Sequence, residues 1–224
     1  EAELDAAIAY IAAQPAIWEV VLTGGDPFML APRKIAAITE AISAIKHVKV
    51  LRWHTRMPVA DPARITAELA QSLSSAKAVV ISVHVNHPRE LTPEMVQACR
   101  LLTDAGYLLL SQSVLLKGVN DEPQVLTALM RRLVEARIKP YYLHQADLAP
   151  GTGHFRTTIL EGQTLIRQLQ REASGLCQPV YVLDIPGGYS KARLPESDLD
   201  HGSLRDEKGD WHQYPPDSSE LSAK

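Results

Sequence analysis

Short runs of apolar residues alternate along this chain with longer amphipathic stretches, and few folds satisfy that alternation. WEVVL at Trp18–Leu22, AVVISV at Ala78–Val83 and PVYVL at Pro179–Leu183 are apolar at nearly every position. A strand of that kind must be covered on both faces, the condition met in a parallel sheet flanked by helices. Further strands are expected at Val48–Trp53, Tyr107–Gln112 and Ile138–Leu143. Helical periodicity covers Glu3–Ala13, Pro32–Ile45, Pro62–Ser72, Glu122–Ala136 and Gly162–Ala173. One more helix announces its own start: Thr92 is an N-cap followed by Pro93 and Glu94, and the pattern runs to Ala105.

The placement of polar residues favours a barrel over an open sheet. Thr23-Gly24-Gly25-Asp26, His54-Thr55-Arg56, His84-Val85-Asn86-His87, Gln112-Ser113, His144-Gln145-Ala146-Asp147 and Asp184-Ile185-Pro186-Gly187-Gly188 each stand at the end of a predicted strand. In a βα barrel those carboxyl ends converge on one mouth, where active sites are built; in an open sheet they spread along an edge. No GxGxxG follows a strand, which counts against a dinucleotide site. The expectation is an α/β barrel over residues 1–195 and a polar tail over 196–224, in which Leu204-Arg205 and Trp211 to Tyr214 form a covering hairpin.

Composition narrows the function classes. With 46% apolar and 22% charged residues over 224 positions, the chain can bury one substantial core. Its net charge of −3 gives no electrostatic footprint for nucleic acid or an anionic membrane. No apolar run approaches the roughly 18 residues of a spanning helix, and no signal peptide is visible. Cys99 and Cys177 are the only cysteines. They read as two buried thiols in a reducing cytoplasm, not as a disulfide, zinc or iron–sulfur framework. Because residue 1 is Glu and a helical pattern begins at once, a trimmed chain is expected.

Chemistry concentrates at the strand ends. Asp184 to Lys191 reads DIPGGYSK: an Asp closing a buried strand, a Pro-Gly-Gly turn, then Ser190 and Lys191. Paired glycines let the backbone approach a ligand. A lysine just past such a turn can bond to an aldehyde cofactor; the alternative is a solvated lysine on a surface turn. Asp147 opens a loop rich in Gly and Pro, as a loop cap or a cation site. With Asp184 on a neighbouring strand, two carboxylates could clamp an ammonium through charge-assisted hydrogen bonds. Without a cation they would repel, and one carboxyl pKa would rise. Gly24-Gly25-Asp26 offers backbone groups to a ligand, or is an ordinary tight turn. His54, Arg56, His84, His87 and Gln112 complete the ring of polar residues. The His84/His87 spacing lacks a third ligand, so no metal site is assigned within this chain.

Taken in order, GGDP, RWHTRMPV, VHVNHP, SQSVLLKGVND, PYYLHQADLAPGTGHFRT and SGLCQPVYVLDIPGGYSK resemble the lysine 2,3-aminomutases over about residues 1–215. The SVLLKGVND and GTGHFRT segments are the most diagnostic. The resemblance implies a radical S-adenosylmethionine enzyme with a partial (β/α)6 TIM-like barrel and L-lysine as its substrate. It implies three cofactors: S-adenosyl-L-methionine, a [4Fe–4S] cluster and pyridoxal 5′-phosphate. In such enzymes a 5′-deoxyadenosyl radical removes a hydrogen from the lysine β carbon, and the amino group held by pyridoxal phosphate migrates. The hydrogen then returns, so L-lysine and L-β-lysine interconvert, with the cofactors carrying the hard chemistry. By the same resemblance Lys191 is the lysine that binds pyridoxal phosphate, and Asp147 and Asp184 bind the substrate ε-ammonium. Gly24, Gly25 and Asp26 match the motif that holds the methionyl amino group of S-adenosylmethionine. His84 and Gln112 lie near that cofactor, and Arg56 matches a polar position of the pattern.

The chain also departs from the family. Its sequence contains no CxxxCxxC cluster loop, so the cluster ligands are expected outside it, the first strand is expected to be missing, and the piece alone is expected to be inactive. A Tyr common three residues before the first clamp Asp is His144 here. No cysteine-rich zinc segment closes the chain, which leaves a homo-oligomer open but without zinc to stabilise it. Two other readings remain: a relative acting on lysine destined for elongation factor P, and a degenerate barrel that binds lysine or pyridoxal phosphate without radical chemistry. The presence of both Asp147 and Asp184 favours free lysine. A glutamate aminomutase would set two anionic aspartates against a substrate carboxylate, at a cost of roughly several kcal/mol when desolvated.

Overall fold

The computed structural model describes residues 2–194, 203–205 and 208–214. In chain order its helices and strands are α1 Ala2–Ala13, β1 Glu19–Leu22, α2 Pro32–Ser43, β2 Val50–Thr55, α3 Met57–Ala60, α4 Ala67–Ser72, β3 Ala78–His84, α5 Pro93–Asp104, β4 Leu108–Leu115, α6 Pro123–Glu135, β5 Ile138–Gln145, α7 Ile159–Glu172, β6 Val180–Asp184, β7 Lys191–Arg193, β8 Ser203–Arg205 and β9 Trp211–Gln213. Among the described residues, β1 to β7 form a sheet in sequential order and β8 pairs with β9. The chain groups into two compact units. The first is Glu1–Val85, Arg89–Ser111 and Arg132–Lys139; the second is Asn86–Pro88, Gln112–Arg131 and Pro140–Lys224.

In the first unit β1, β2 and β3 pair in parallel, with Leu22 opposite Trp53 and Thr55 opposite Val83. Helix α2 buries Ile35, Ile38, Thr39 and Ile42, and α5 buries Met95, Ala98, Cys99 and Leu102. Both sets follow the i, i+3, i+4, i+7 spacing of one helical face. Each Ile, Met or Leu among them contributes about 1.5–3 kcal/mol on burial. The Thr92 cap is present, its hydroxyl accepting from the Met95 N–H at 3.2 Å. The stretch expected as one helix over Pro62–Ser72 is two pieces: a 3-10 turn at Pro62–Arg64, then α4. Thr66 breaks it by acting as a cap, accepting from the Leu69 N–H at 3.1 Å. Helix α1 buries none of its residues.

Several strands run past their expected ends. His54 and Thr55 pair with Ser82 and Val83, and so belong to β2. Gln112 and Ser113 lie inside β4, and His144 and Gln145 inside β5. The apolar pattern stops at the first polar side chain, but the ladder continues because the small or hydrogen-bonded Thr55, Ser82, Ser113 and Gln145 fit buried positions.

In the second unit β5 and β6 are parallel and β7 returns antiparallel, pairing Asp184 with Lys191. Lys191 therefore begins a strand that the sequence pattern does not announce. Helix α7 starts three residues before the expected Gly162, fixed by a capping box between Thr158 and Glu161. Gly162 faces Tyr181 closely: a Cβ there would stand 2.0 Å from the Tyr181 hydroxyl. In the tail, β8 and β9 pair antiparallel with Ser203 opposite Gln213, while 195–202, 206–207 and 215–224 lie outside the described residues.

Candidate functional site

In the first unit the turn after β1 is knitted to the end of β2. Gly24 has a φ of +109°, and nothing lies within 4 Å of a Cβ built on Gly24 or Gly25. The turn thus needs glycine at 24 and leaves its backbone approachable. Asp26 starts the 3-10 turn Pro27–Met29. Its Oδ1 accepts from the Phe28 N–H at 3.0 Å and the Thr55 hydroxyl at 2.8 Å, and its Oδ2 accepts from the Arg56 N–H at 2.6 Å. Three of the roughly four acceptor sites of a carboxylate are therefore used inside the protein. The Arg56 guanidinium lies 3.6 Å from Glu90 Oε2. His84 closes β3, with its ring edge-on to His54 at 6.0 Å. Burial, and then the Arg56 cation, hold the His84 pKa below its ordinary value, with Asp26 opposing. Its imidazole is neutral at pH 7, one nitrogen donating and the other accepting.

The second unit gathers Asp147, Asp184 and Lys191. Lys191 Nζ donates to Asp184 Oδ1 at 2.7 Å and Oδ2 at 2.5 Å. His144 Nδ1 lies 3.9 Å from Asp184 Oδ2, and its ring is edge-on to Tyr142 at 5.7 Å. The Asp147 carboxyl pKa is pushed up, by burial first and by the Asp184 charge second, while Lys191 opposes. The side chains of Asp184 and Lys191 remain 47% and 38% exposed. An ion pair so open to water contributes at most about 1 kcal/mol, so it is a contact that can be given up. Gln112, expected beside the same cofactor as His84, is buried in β4 and belongs to this second unit.

A buried frame supports this cluster. Tyr181 donates its hydroxyl to Gln145 Oε1, and Gln145 Nε2 donates to the Thr157 carbonyl at 2.6 Å. Arg156 grips the loop after β5, donating to the carbonyls of Asp147 and Ala149, each at 3.1 Å. The two diagnostic segments are tied together where the Lys117 N–H donates to the Phe155 carbonyl at 2.8 Å. Asn120, fully buried, donates to the carbonyls of Asn86 and Val114, each at 2.8 Å. A cavity of about 370 Å³ beside this loop is lined by Gln145, Leu148, Arg156 and Tyr214. Burial raises the Tyr214 pKa first; Arg156 opposes and Asp147 adds to the rise. The Lys208 ammonium lies 3.7 Å from the centre of the Tyr189 ring, in the turn before Lys191. A larger cavity of about 770 Å³ lies against α3 and α5 and holds none of the strand-end residues, so size does not mark the site.

Sequence reasoning missed Arg156, Tyr181 and Tyr214. Only the Thr158-x-x-Glu161 capping box gave a local signal for this frame. The pairing of Tyr181 with Gln145 joins residues 36 positions apart and has no local signature.

The donor set fits an aldehyde cofactor but not an iron–sulfur cluster. Lys191 offers a half-exposed primary amine, and the adjacent Ser190 hydroxyl is buried with no hydrogen-bond partner among the described residues. The turn before it contains Gly187 at a φ of +77°. Cys99 and Cys177 are buried, and burial pushes the Cys99 thiol up to about 12. Among the described residues no group of three His, Cys, Asp or Glu could hold a metal ion. Two thiols do not make the three or four thiolate ligands of a cubane cluster. No helix among the described residues is long and apolar enough to cross a membrane.

No protein-family model matches the chain. It is 42% identical over 188 residues to an L-lysine 2,3-aminomutase of Fusobacterium nucleatum, which covers 84% of this chain and 44% of that protein. It is 43% identical over 189 residues to an L-lysine 2,3-aminomutase of Acetoanaerobium sticklandii, covering 84% of this chain and 46% of that one. The chain thus spans about half the length of the curated relatives it matches. Among solved structures, a radical SAM methyltransferase from Sphaerobacter thermophilus superposes with a TM-score of 0.58 at 18% identity, covering 83% of this chain and 57% of that one. The enzyme anSMEcpe, solved with bound AdoMet and a Kp18Cys peptide, superposes with a TM-score of 0.54 at 10% identity, covering 74% and 49%. These likenesses show the fold class, the α/β partial barrel of the radical SAM type.

Proposed function

We propose, starting from a chain homologous to the lysine 2,3-aminomutases over 84% of its length, that it supplies the lysine and pyridoxal phosphate sites of an enzyme that interconverts L-lysine and L-β-lysine. The observation that carries this reading is the gathering of Asp147, Asp184 and Lys191 at the ends of β5, β6 and the start of β7. Asp184 already accepts a primary ammonium with both oxygens. Asp147, with its carboxyl pushed up by burial and by Asp184, gains most from a second positive charge. The two together hold the substrate ε-ammonium through charge-assisted bonds. His144 stands at the edge of that clamp.

Lys191 would hold pyridoxal phosphate, which when bound supplies the conjugated group that carries the amino group through its radical shift. The Gly24-Gly25 backbone and Asp26 orient the amino group of S-adenosylmethionine. Neutral His84 provides a further hydrogen-bonding group for that cofactor. The [4Fe–4S] cluster does not fit the residues of this chain, and its thiolates come from outside it. Free L-lysine in the cytoplasm is the substrate.

The test is anaerobic incubation of L-lysine with S-adenosylmethionine, pyridoxal phosphate and the protein joined to the thiolate ligands that its own two cysteines do not supply. Formation of β-lysine is expected. Its absence from a preparation with an intact cluster rejects the reading.

A further inference from the structure

Lys191 and Asp184 face each other across a two-strand ladder, and both carboxylate oxygens hold the lysine ammonium. The bound group is chemically the side-chain end of the proposed substrate, a primary ammonium on a four-carbon stem. We propose, resting on the lysine reading above, that Lys191 is an internal occupant of the substrate's ammonium seat. While Lys191 is seated, Asp184 is closed to free lysine; the seat opens only when Lys191 is engaged elsewhere.

The geometry supports exclusive occupancy. The contact is bidentate, so the seated ammonium meets both oxygens that a ligand would use. Lys191 is shared between two carboxylates, because it also offsets the charge felt by Asp147. A second ammonium within hydrogen-bond distance of Asp184 would stand against the first, and like charges that close are unfavourable even near water. Among the described residues Asp184 also faces the Asp147 charge and His144, whose Nδ1 lies at 3.9 Å. That is too long for a direct hydrogen bond, so it does not hold the seat itself. The half-open exposure of both partners means the internal contact is weak enough to be exchanged. Anything that draws Lys191 away from Asp184 then raises the affinity for an ammonium ligand, and by linkage such a ligand favours the withdrawal equally. Loading of the aldehyde cofactor and recognition of lysine are thereby coupled through one side chain.

Calorimetric titration of L-lysine into the cofactor-free protein tests this, comparing the wild type with Lys191→Met, Lys191→Arg and Lys191→Met combined with Asp184→Asn. Lys191→Met should bind lysine about fivefold more tightly than wild type, the factor that an exposed ion pair supports. Lys191→Arg should stay near wild type, because its guanidinium refills the seat. Adding Asp184→Asn should erase the gain. Equal or weaker binding by Lys191→Met, with the added Asp184→Asn still weakening it, overturns the internal occupancy and leaves the lysine reading standing. A gain that survives Asp184→Asn overturns the seat and the lysine reading together. Undetectable binding in every variant also overturns the occupancy, since an opened seat must bind its ligand.

Discussion

Asp26 and Asp184 both stand at the carboxyl end of a parallel strand beside a Gly-Gly pair, yet their carboxylates meet different partners. The chain after Asp26 tightens into a 3-10 turn, which leaves N–H groups that need acceptors. Asp26 takes the N–H groups of Phe28 and Arg56 and adds the Thr55 hydroxyl. The chain after Asp184 instead turns back into an antiparallel strand, and the turn satisfies itself when the Gly188 N–H donates to the Ile185 carbonyl at 2.9 Å. That leaves the Asp184 carboxylate to whatever side chain the returning strand presents, which is Lys191. The carboxylate beside a glycine pair is thus largely taken up by its own backbone or left to a side chain according to the turn that follows it.

The largest effect expected from breaking this contrast is on the second cluster. Lys191→Ala should abolish the absorbance of protein-bound pyridoxal phosphate, while Asp26→Asn should leave that band in place. An unchanged spectrum in Lys191→Ala removes the assignment. Next in size is the frame beneath the cluster. Gly162→Ala places a Cβ 2.0 Å from the Tyr181 hydroxyl and 2.4 Å from its ring carbon. Tyr181 is fully buried and tied to Gln145, so it has no easy escape. Overpacking of this kind costs about 3 kcal/mol, visible in urea unfolding. A loss below about 0.5 kcal/mol would show that the frame yields and that the open side chains above it do not rest on rigid support.

The same contrast explains what the sequence could and could not reveal. The α/β architecture is legible because AVVISV and PVYVL are largely buried strands and the helices between them keep one apolar face, whereas WEVVL, expected to be buried as well, forms β1 with none of its residues buried and Trp18 and Val21 exposed. The Thr92 cap is local chemistry and reads directly. The strand ends are not legible, because Thr55, Ser113 and Gln145 look like turn residues until the ladder and the buried partners are known. The Asp147–Asp184–Lys191 grouping follows from strand-end logic and from family resemblance, but the pairing of Asp184 with Lys191 needs β7, a three-residue strand too short to carry a pattern. Tyr214 is invisible from sequence for a different reason: its place beside Arg156 depends on the fold of a hairpin far along the chain.

The direct comparison is smaller in energy and sharper in meaning. Asp26→Ala removes the acceptor for three donors and should cost about 2 kcal/mol of stability, the scale of hydrogen bonds to a charged group. Asp184→Ala removes only a solvent-open pair and should stay within about 0.5 kcal/mol of wild type while weakening lysine binding. Equal stability losses would mean the two carboxylates do the same structural work.

The smallest effect concerns protons at Asp147. Its folded-state pKa lies above the ordinary aspartate value because burial and the Asp184 charge both disfavour ionisation. A carboxyl shifted upward binds its proton more tightly when folded. The stabilisation this gives is complete below the ordinary pKa and is lost as pH rises through the raised one. Lysine binding has the opposite slope, because the ammonium needs the ionised carboxylate. Affinity should therefore rise with pH across the window just above the ordinary aspartate pKa, and Asp147→Asn should flatten that part of the profile. If Asp147→Asn keeps the full acid limb, the proton is not at Asp147, and the clamp reduces to Asp184 alone.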